Sequence, residues 1–171
     1  MRQSAVAILL LLSVAGFGFV AGLASPYFAL YASICLLGFF DLLRPLIRIR
    51  LPGPIRKVHA WETRSGPYRI IGVPAFGALL RKTPLRLLNK RVYLKETCTD
   101  LSNIRLQLED AEAAHFWAGV ATVPYLALAW NRGWWDSFLA IAIFNVVANL
   151  YPILHLRSVR ARLERAAHRR S

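Results

Sequence analysis

Glu112 and His115 stand three residues apart where one apolar run begins, and Asn145, Asn149, Pro152 and His155 are spaced along another. An imidazole can take a proton from an attacking hydroxyl. A neighbouring carboxylate can orient that imidazole and offset its charge. A carboxamide can donate a hydrogen bond to a developing oxyanion. Polar groups are costly in lipid, so an ionisable or amide side chain within a span is a candidate functional residue by default. His115 therefore reads as a general base and Glu112 as its orienting partner, with Asn149 stabilising the oxyanion or positioning the base. The alternative is structural: intramembrane Asn can simply bridge helices for roughly 0.6–2 kcal/mol, and Glu and His at an interface can be solvated.

Helical geometry groups these residues. At about 100° per residue, Glu112, His115, Gly119 and Thr122 fall on one face, and Asn145, Asn149, Pro152 and His155 on another. Small residues let helices approach and polar groups then point into a bundle, so the two faces are expected to meet. Glu112 and His115 begin their run, and Asn149 to His155 end theirs, which places both sets at the same membrane boundary.

The elements that must position them are apolar. Of 171 residues, 56% are hydrophobic, above the roughly 45–50% of a soluble domain. Residues 5–23 are uncharged and long enough for a hydrocarbon core of about 30 Å. This run exceeds a signal-peptide core and is preceded by Arg2 alone, so it reads as a span, the alternative being a leader cleaved after Ala24. Residues 26–43 form a second candidate, with a short link at Ala24-Ser25-Pro26 that implies a helical hairpin. Residues 111–130 and 134–156 are the third and fourth, joined at Asn131-Arg132-Gly133. The expected fold is thus all-α, one integral membrane domain over residues 1–171 with four transmembrane helices.

Charge sets the orientation. Net charge is +13. Arg2, the fourteen bases between Arg44 and Arg105, and the six from Arg157 onward fall on one side of a four-span protein, leaving only Arg132 opposite. The positive-inside rule makes that side cytoplasmic. A bacterial cytoplasmic (inner) membrane with both termini inside is the expected location. The bases flank apolar spans and no nucleic-acid motif is present, so anionic lipid headgroups are the expected partner and nucleic acid is not.

Residues 44–110 form a cytoplasmic loop region, followed after the fourth span by a basic tail, 157–171. Pro45, Pro52 and Pro54 argue against a regular helix at its start. Further on, Ile70, Ile71, Val73, Phe76, Leu79, Leu80, Leu85, Leu87 and Leu88 alternate with Arg81, Lys82, Arg86, Lys90 and Arg91, a composition suited to the headgroup plane. His59, Trp61 and Glu62 form a cluster suited to acid–base chemistry or to a solvated turn. Cys35 and Cys98 form no CxxC and imply neither a disulfide framework nor a zinc site. Glu112-x-x-His115 matches one half of a di-iron ligand pattern, but four histidines and a single such pair are too few, so no metal is expected.

The motifs of the last third, taken in order, are Ala111-Glu112-x-x-His115, Asn131-x-Gly133, Ala148-Asn149-x-Tyr151-Pro152-Ile153 and Arg157-x-x-Arg160-x-Arg162-Leu163. Together they resemble the glycosyl-4,4'-diaponeurosporenoate acyltransferase family, the membrane enzymes that complete staphyloxanthin-type carotenoids. The likeness covers residues 111–163, with a weaker echo in Tyr68-x-x-x-Gly72-Val73-x-x-Phe76-x-x-Leu79-Leu80. It departs from the family at Leu156-Arg157-Ser158-Val159-Arg160, which lacks the usual amide and aromatic residues. The resemblance implies transfer of a fatty acyl group to a hydroxyl of a membrane-embedded glycosylated isoprenoid.

The combined expectation is acyl transfer from an acyl-CoA or similar co-substrate, with no bound cofactor, onto a lipid-soluble acceptor. Trp61, Glu62 and Tyr151 are candidates to line the substrate site, and Arg157, Arg160 and Arg162 to bind donor phosphates at the inner leaflet. A non-catalytic membrane scaffold and a small membrane lipid methyltransferase are the competing classes.

Overall fold

The computed structural model describes residues 2–43, 49–59, 61–62, 66–83 and 101–168, all of the regular structure being helical. The helices are α1 (Arg2–Ala21), α2 (Pro26–Leu43), α3 (Gly53–Arg56), α4 (Gly66–Ile70), α5 (Val73–Lys82), α6 (Leu101–Asn131), α7 (Trp135–Phe144) and α8 (Tyr151–His168), with a π-helical turn at Asn145–Leu150 joining the last two. Among the described residues, three helical stretches are long and apolar enough to cross a membrane: Gln3–Ala21, Pro26–Leu43 and Trp135–Ala166. The expected span 111–130 lies inside α6, which is not among them; His115, Thr122, Pro124 and Tyr125 dilute its apolar run.

The chain divides into two compact units. The first comprises Met1–Ile49 and Ala114–Leu150, the second Arg50–Ala113 and Tyr151–Ser171.

In the first unit α1 and α2 form the expected hairpin. Pro26 opens α2, where its missing N–H costs no helical bond. Two side chains bond the turn's carbonyls: Tyr125 Oη donates to that of Leu23 at 2.6 Å and Ser137 Oγ to that of Ala24 at 2.6 Å. Tyr31 donates to Ser13 Oγ at 2.9 Å across the hairpin. The α6–α7 turn uses Gly133 at φ 68°, a left-handed conformation that side chains disfavour. Its geometry lets the Trp134 N–H bond the Ala129 carbonyl at 2.9 Å. Trp130, Trp135 and Phe138 pack edge to face beside it.

The π-turn has a local cause. Pro152 lacks the N–H that the Ala148 carbonyl would accept in an α-helix, and its ring would crowd that carbonyl. Widening the preceding turn relieves both, and such turns recur at functional sites. Asn145 and Asn149 both stand on it.

In the second unit α6 begins at Leu101, ten residues before the expected span. Ile104, Leu108 and Ala111 of α6 form a buried seam with Leu156, Val159 and Leu163 of α8, spaced at helical intervals on both. The expectation that prolines bar a helix near residue 54 is corrected: α3 forms a single turn with Pro54 at its start, the position a helix tolerates. Pro45 lies outside the described residues, as do Leu85, Arg86, Leu87, Leu88, Lys90, Arg91 and Cys98. Cys35 is free and buried.

Short α5 docks on α8. A Cβ on Gly77 would come within 2.6 Å of His155 Cε1 and 2.9 Å of its Nδ1, so the bare glycine is what lets the imidazole lie against the helix. Phe76 stacks near Tyr151 with centroids 5.3 Å apart, and Tyr151 Oη donates to the Ile71 carbonyl at 3.1 Å. A Gly77→Ala substitution forces the buried ring aside, and overpacking of this kind costs about 1–3 kcal/mol. Thermal unfolding in detergent should show the loss, and a second His155→Ala change should recover most of it.

Candidate functional site

Two polar constellations are built from the motifs. The larger lies in the second unit and is made by paired spacings. Glu109 and Glu112 are three residues apart on α6, and Arg157 and Arg160 three apart on α8, so each pair shares a helical face. Arg160 Nη1 donates to Glu112 Oε2 at 2.5 Å and its Nη2 to Glu109 Oε1 at 3.0 Å. Arg157 Nη1 donates to Glu112 Oε1 at 2.8 Å, while its Nε and Nη2 bond Glu62 Oε1 and Oε2 at 2.7 and 2.8 Å. Glu112 is fully buried and Arg160 nearly so, at 1% exposure. Both oxygens of Glu112 are thus held by guanidinium groups.

The same arginines fasten the segment after α3. Arg157 donates to the carbonyls of Ile55 and Lys57, and Arg160 to that of Arg56 at 2.8 Å. These are carbonyls at a helix C-terminus, where positive charge is favourable. Arg56 returns a bond to Glu109 at 3.1 Å. Three carboxylates therefore meet Arg157, Arg160 and Arg56. Burying such charges is tolerable only when each is paired and hydrogen-bonded. At the rim, Arg105 bridges Glu109 and Glu164 at 3.5 and 3.3 Å, exposed contacts worth little.

Glu62 closes the lattice. It also accepts from the His59 N–H at 2.7 Å and from Tyr68 Oη at 2.9 Å. Burial alone pushes its carboxyl up, but the bonds from Arg157, the His59 amide and Tyr68, with the Arg157 charge, outweigh burial and hold it below the ordinary value. The Tyr68 phenol is pushed up, by burial first and then by its bond to Glu62, so it remains a donor. A carboxyl lowered on folding stabilises fully above its unfolded value of 4.5, and that contribution fades as pH falls through the lower folded value. Thermal stability in detergent should therefore drop below about pH 4.5, and Glu62→Gln should be less stable at neutral pH with a flatter acid limb.

The second constellation lies in the first unit, where Gly119 and Thr122 of one expected polar face meet Asn145 and Asn149 of the other; Glu112 and His155 of those faces make their contacts in the second unit. Thr122 Oγ1 donates to the Gly119 carbonyl at 2.7 Å, Asn145 Nδ2 to Thr122 Oγ1 at 2.5 Å, and Asn149 Nδ2 to Asn145 Oδ1 at 2.6 Å. Asn149 is 3% exposed, and its Oδ1 is buried with no hydrogen-bond partner. His115, half-buried, belongs to the same unit and follows Glu112 by one turn of α6.

Of the other expected residues, Trp61 is exposed and stacks on Tyr68 with centroids 6.3 Å apart. Tyr151 is half-buried against α5, and Arg162 is exposed, its Nε 3.4 Å from the Ser158 carbonyl. Glu109, and Arg56 as its partner, are additions that the structure makes to the expected set. The matched i, i+3 spacing of Glu109-x-x-Glu112 and Arg157-x-x-Arg160 was the available signal. No group of His, Cys, Asp and Glu that could hold a metal occurs among the described residues.

Apolar helices of spanning length, a helical hairpin and buried polar residues define a helical membrane protein. Residues 54–169 match the family model described as glycosyl-4,4'-diaponeurosporenoate acyltransferase. That stretch is more than half of the chain, and the chain belongs to this acyltransferase family. No curated protein and no solved structure matches it.

Proposed function

We propose that the protein transfers a fatty acyl group from a thioester donor to a hydroxyl of a lipid-soluble acceptor, a glycosylated isoprenoid or glycolipid. The family match carries this reading, supported by a buried polar chain in a unit otherwise made of apolar helices. The acceptor oxygen attacks the thioester carbonyl, His115 takes the hydroxyl proton, the C–S bond breaks, and the departing thiolate recovers that proton. Asn149 is the carboxamide beside the reacting groups. Glu112 acts through its two arginines, fixing α6 one turn before His115.

The Nη groups of Arg157 and Arg160 donate to carboxylates and carbonyls inside the protein, so we assign both residues to holding this lattice. Arg162, exposed on the tail, then meets donor phosphates. The expected topology completes the picture: α6 is a fourth crossing, both termini and the loop region are cytoplasmic, and the membrane is the bacterial inner one.

The test is comparative lipidomics of the host membrane with the wild type, a deletion and His115→Ala. An acylated glycolipid or isoprenoid ester lost equally in the last two, at unchanged protein level, is the expected result. Identical lipid profiles in all three strains refute acyl transfer and favour a scaffold.

A further inference from the structure

The amide chain in the first unit has a fixed direction. The Gly119 carbonyl can only accept. The single hydroxyl hydrogen of Thr122 is committed to it, so toward Asn145 the Thr122 oxygen must accept. Asn145 therefore turns its NH2 group to Thr122 and its Oδ1 to Asn149. Asn149 in turn gives its NH2 to Asn145. Amide orientation is assigned from such networks, and here turning either amide sets oxygen against oxygen. The chain ends on Asn149 Oδ1, an acceptor buried without a partner.

A helix-bridging duty does not explain that end. The Asn145–Thr122 bond already ties the π-turn to α6, and adding Asn149 leaves a costly orphan acceptor in an apolar setting. An orphan of this polarity calls for a hydrogen-bond donor and repels an oxyanion. Val120, Val123, Val146, Val147 and Leu150, close to it in sequence on α6 and the π-turn, are exposed and apolar, a surface suited to a lipid-soluble molecule. The π-turn is the part of the helix already displaced from α-geometry.

We propose that Asn149 Oδ1 accepts a hydrogen bond from a hydroxyl of the lipid-soluble acceptor other than the one that reacts, held in register by Asn145 and Thr122. Asn149 is then a residue that selects a hydroxylated acceptor and positions it. The inference rests on the acyl-transfer reading for the identity of the alcohol, and its test does not require turnover.

Binding of tritiated hexadecan-1-ol to the full-length protein in nanodiscs, by scintillation proximity, reads the contact directly. Unlabelled hexadecan-1-ol and its methyl ether, which lacks the donor, serve as competitors. The wild type should prefer the alcohol by roughly fivefold, the worth of one hydrogen bond. Asn149→Leu should abolish the preference. If that variant does not fold, Thr122→Val, which frees the amides to turn, should weaken it, and Thr122→Ser should restore it. Equal competition by alcohol and ether in the wild type, or a preference that survives Asn149→Leu or Thr122→Val, overturns the proposal. Preference without acyl transfer would refute the enzymatic reading and leave the alcohol site standing.

Discussion

Glu112→Leu should destabilise the protein by about 3–5 kcal/mol, the cost of removing one partner from a buried ion pair. Both oxygens of this residue carry guanidinium bonds, from Arg157 and Arg160. Its loss leaves Arg160 with Glu109 and a single carbonyl, and Arg157 with Glu62 and two. A change of that size is a large fraction of the stability of a small domain, so the variant should accumulate poorly and unfold at much lower temperature in detergent. The double variant Glu112→Leu, Arg160→Met should recover part of the loss, because replacing a buried pair by apolar residues is often neutral. Arg105→Ala, at the exposed rim, should change stability by less than about 0.5 kcal/mol. A folded Glu112→Leu protein of wild-type stability would mean the lattice is not a structural keystone.

The second expected effect separates chemistry from folding. His115→Ala should leave the protein inserted and thermally stable to within about 1 kcal/mol while lowering acyl transfer by roughly 10²–10⁴-fold, the usual contribution of a positioned general base. Glu112, not His115, makes the arginine bonds described above, which is why the two effects should come apart. A variant whose rate falls only in proportion to its folded amount would remove His115 from the chemistry.

These outcomes bear on what the sequence displayed. The α1–α2 hairpin was legible because apolar length and a four-residue link leave little choice. So was the turn at Gly133, where Asn131-x-Gly133 separates two apolar runs. The meeting of Gly119 and Thr122 with Asn145 and Asn149 followed from helical spacing alone, since two polar faces in apolar helices have few other places to go. The early start of α6 was hidden because residues 101–110 are amphipathic, not apolar: Ile104 and Leu108 pack on α8 while Arg105 and Asp110 face outward. Arginines at a membrane boundary suggest phosphate, and nothing local to Arg157 or Arg160 says otherwise. Their carboxylate partners lie 45 to 95 residues away along the chain, a pairing that only tertiary structure creates. Glu62 is the same case in reverse, an apparent loop acid that folding surrounds with donors.

The decisive measurement is transfer by the purified protein in nanodiscs, supplied with radiolabelled palmitoyl-CoA and the neutral lipid extract of the host membrane. Wild type should move the label into an organic-soluble ester that mild alkali cleaves, and His115→Ala should not. No labelled ester from the folded wild type, or an undiminished yield from His115→Ala, would contradict the account.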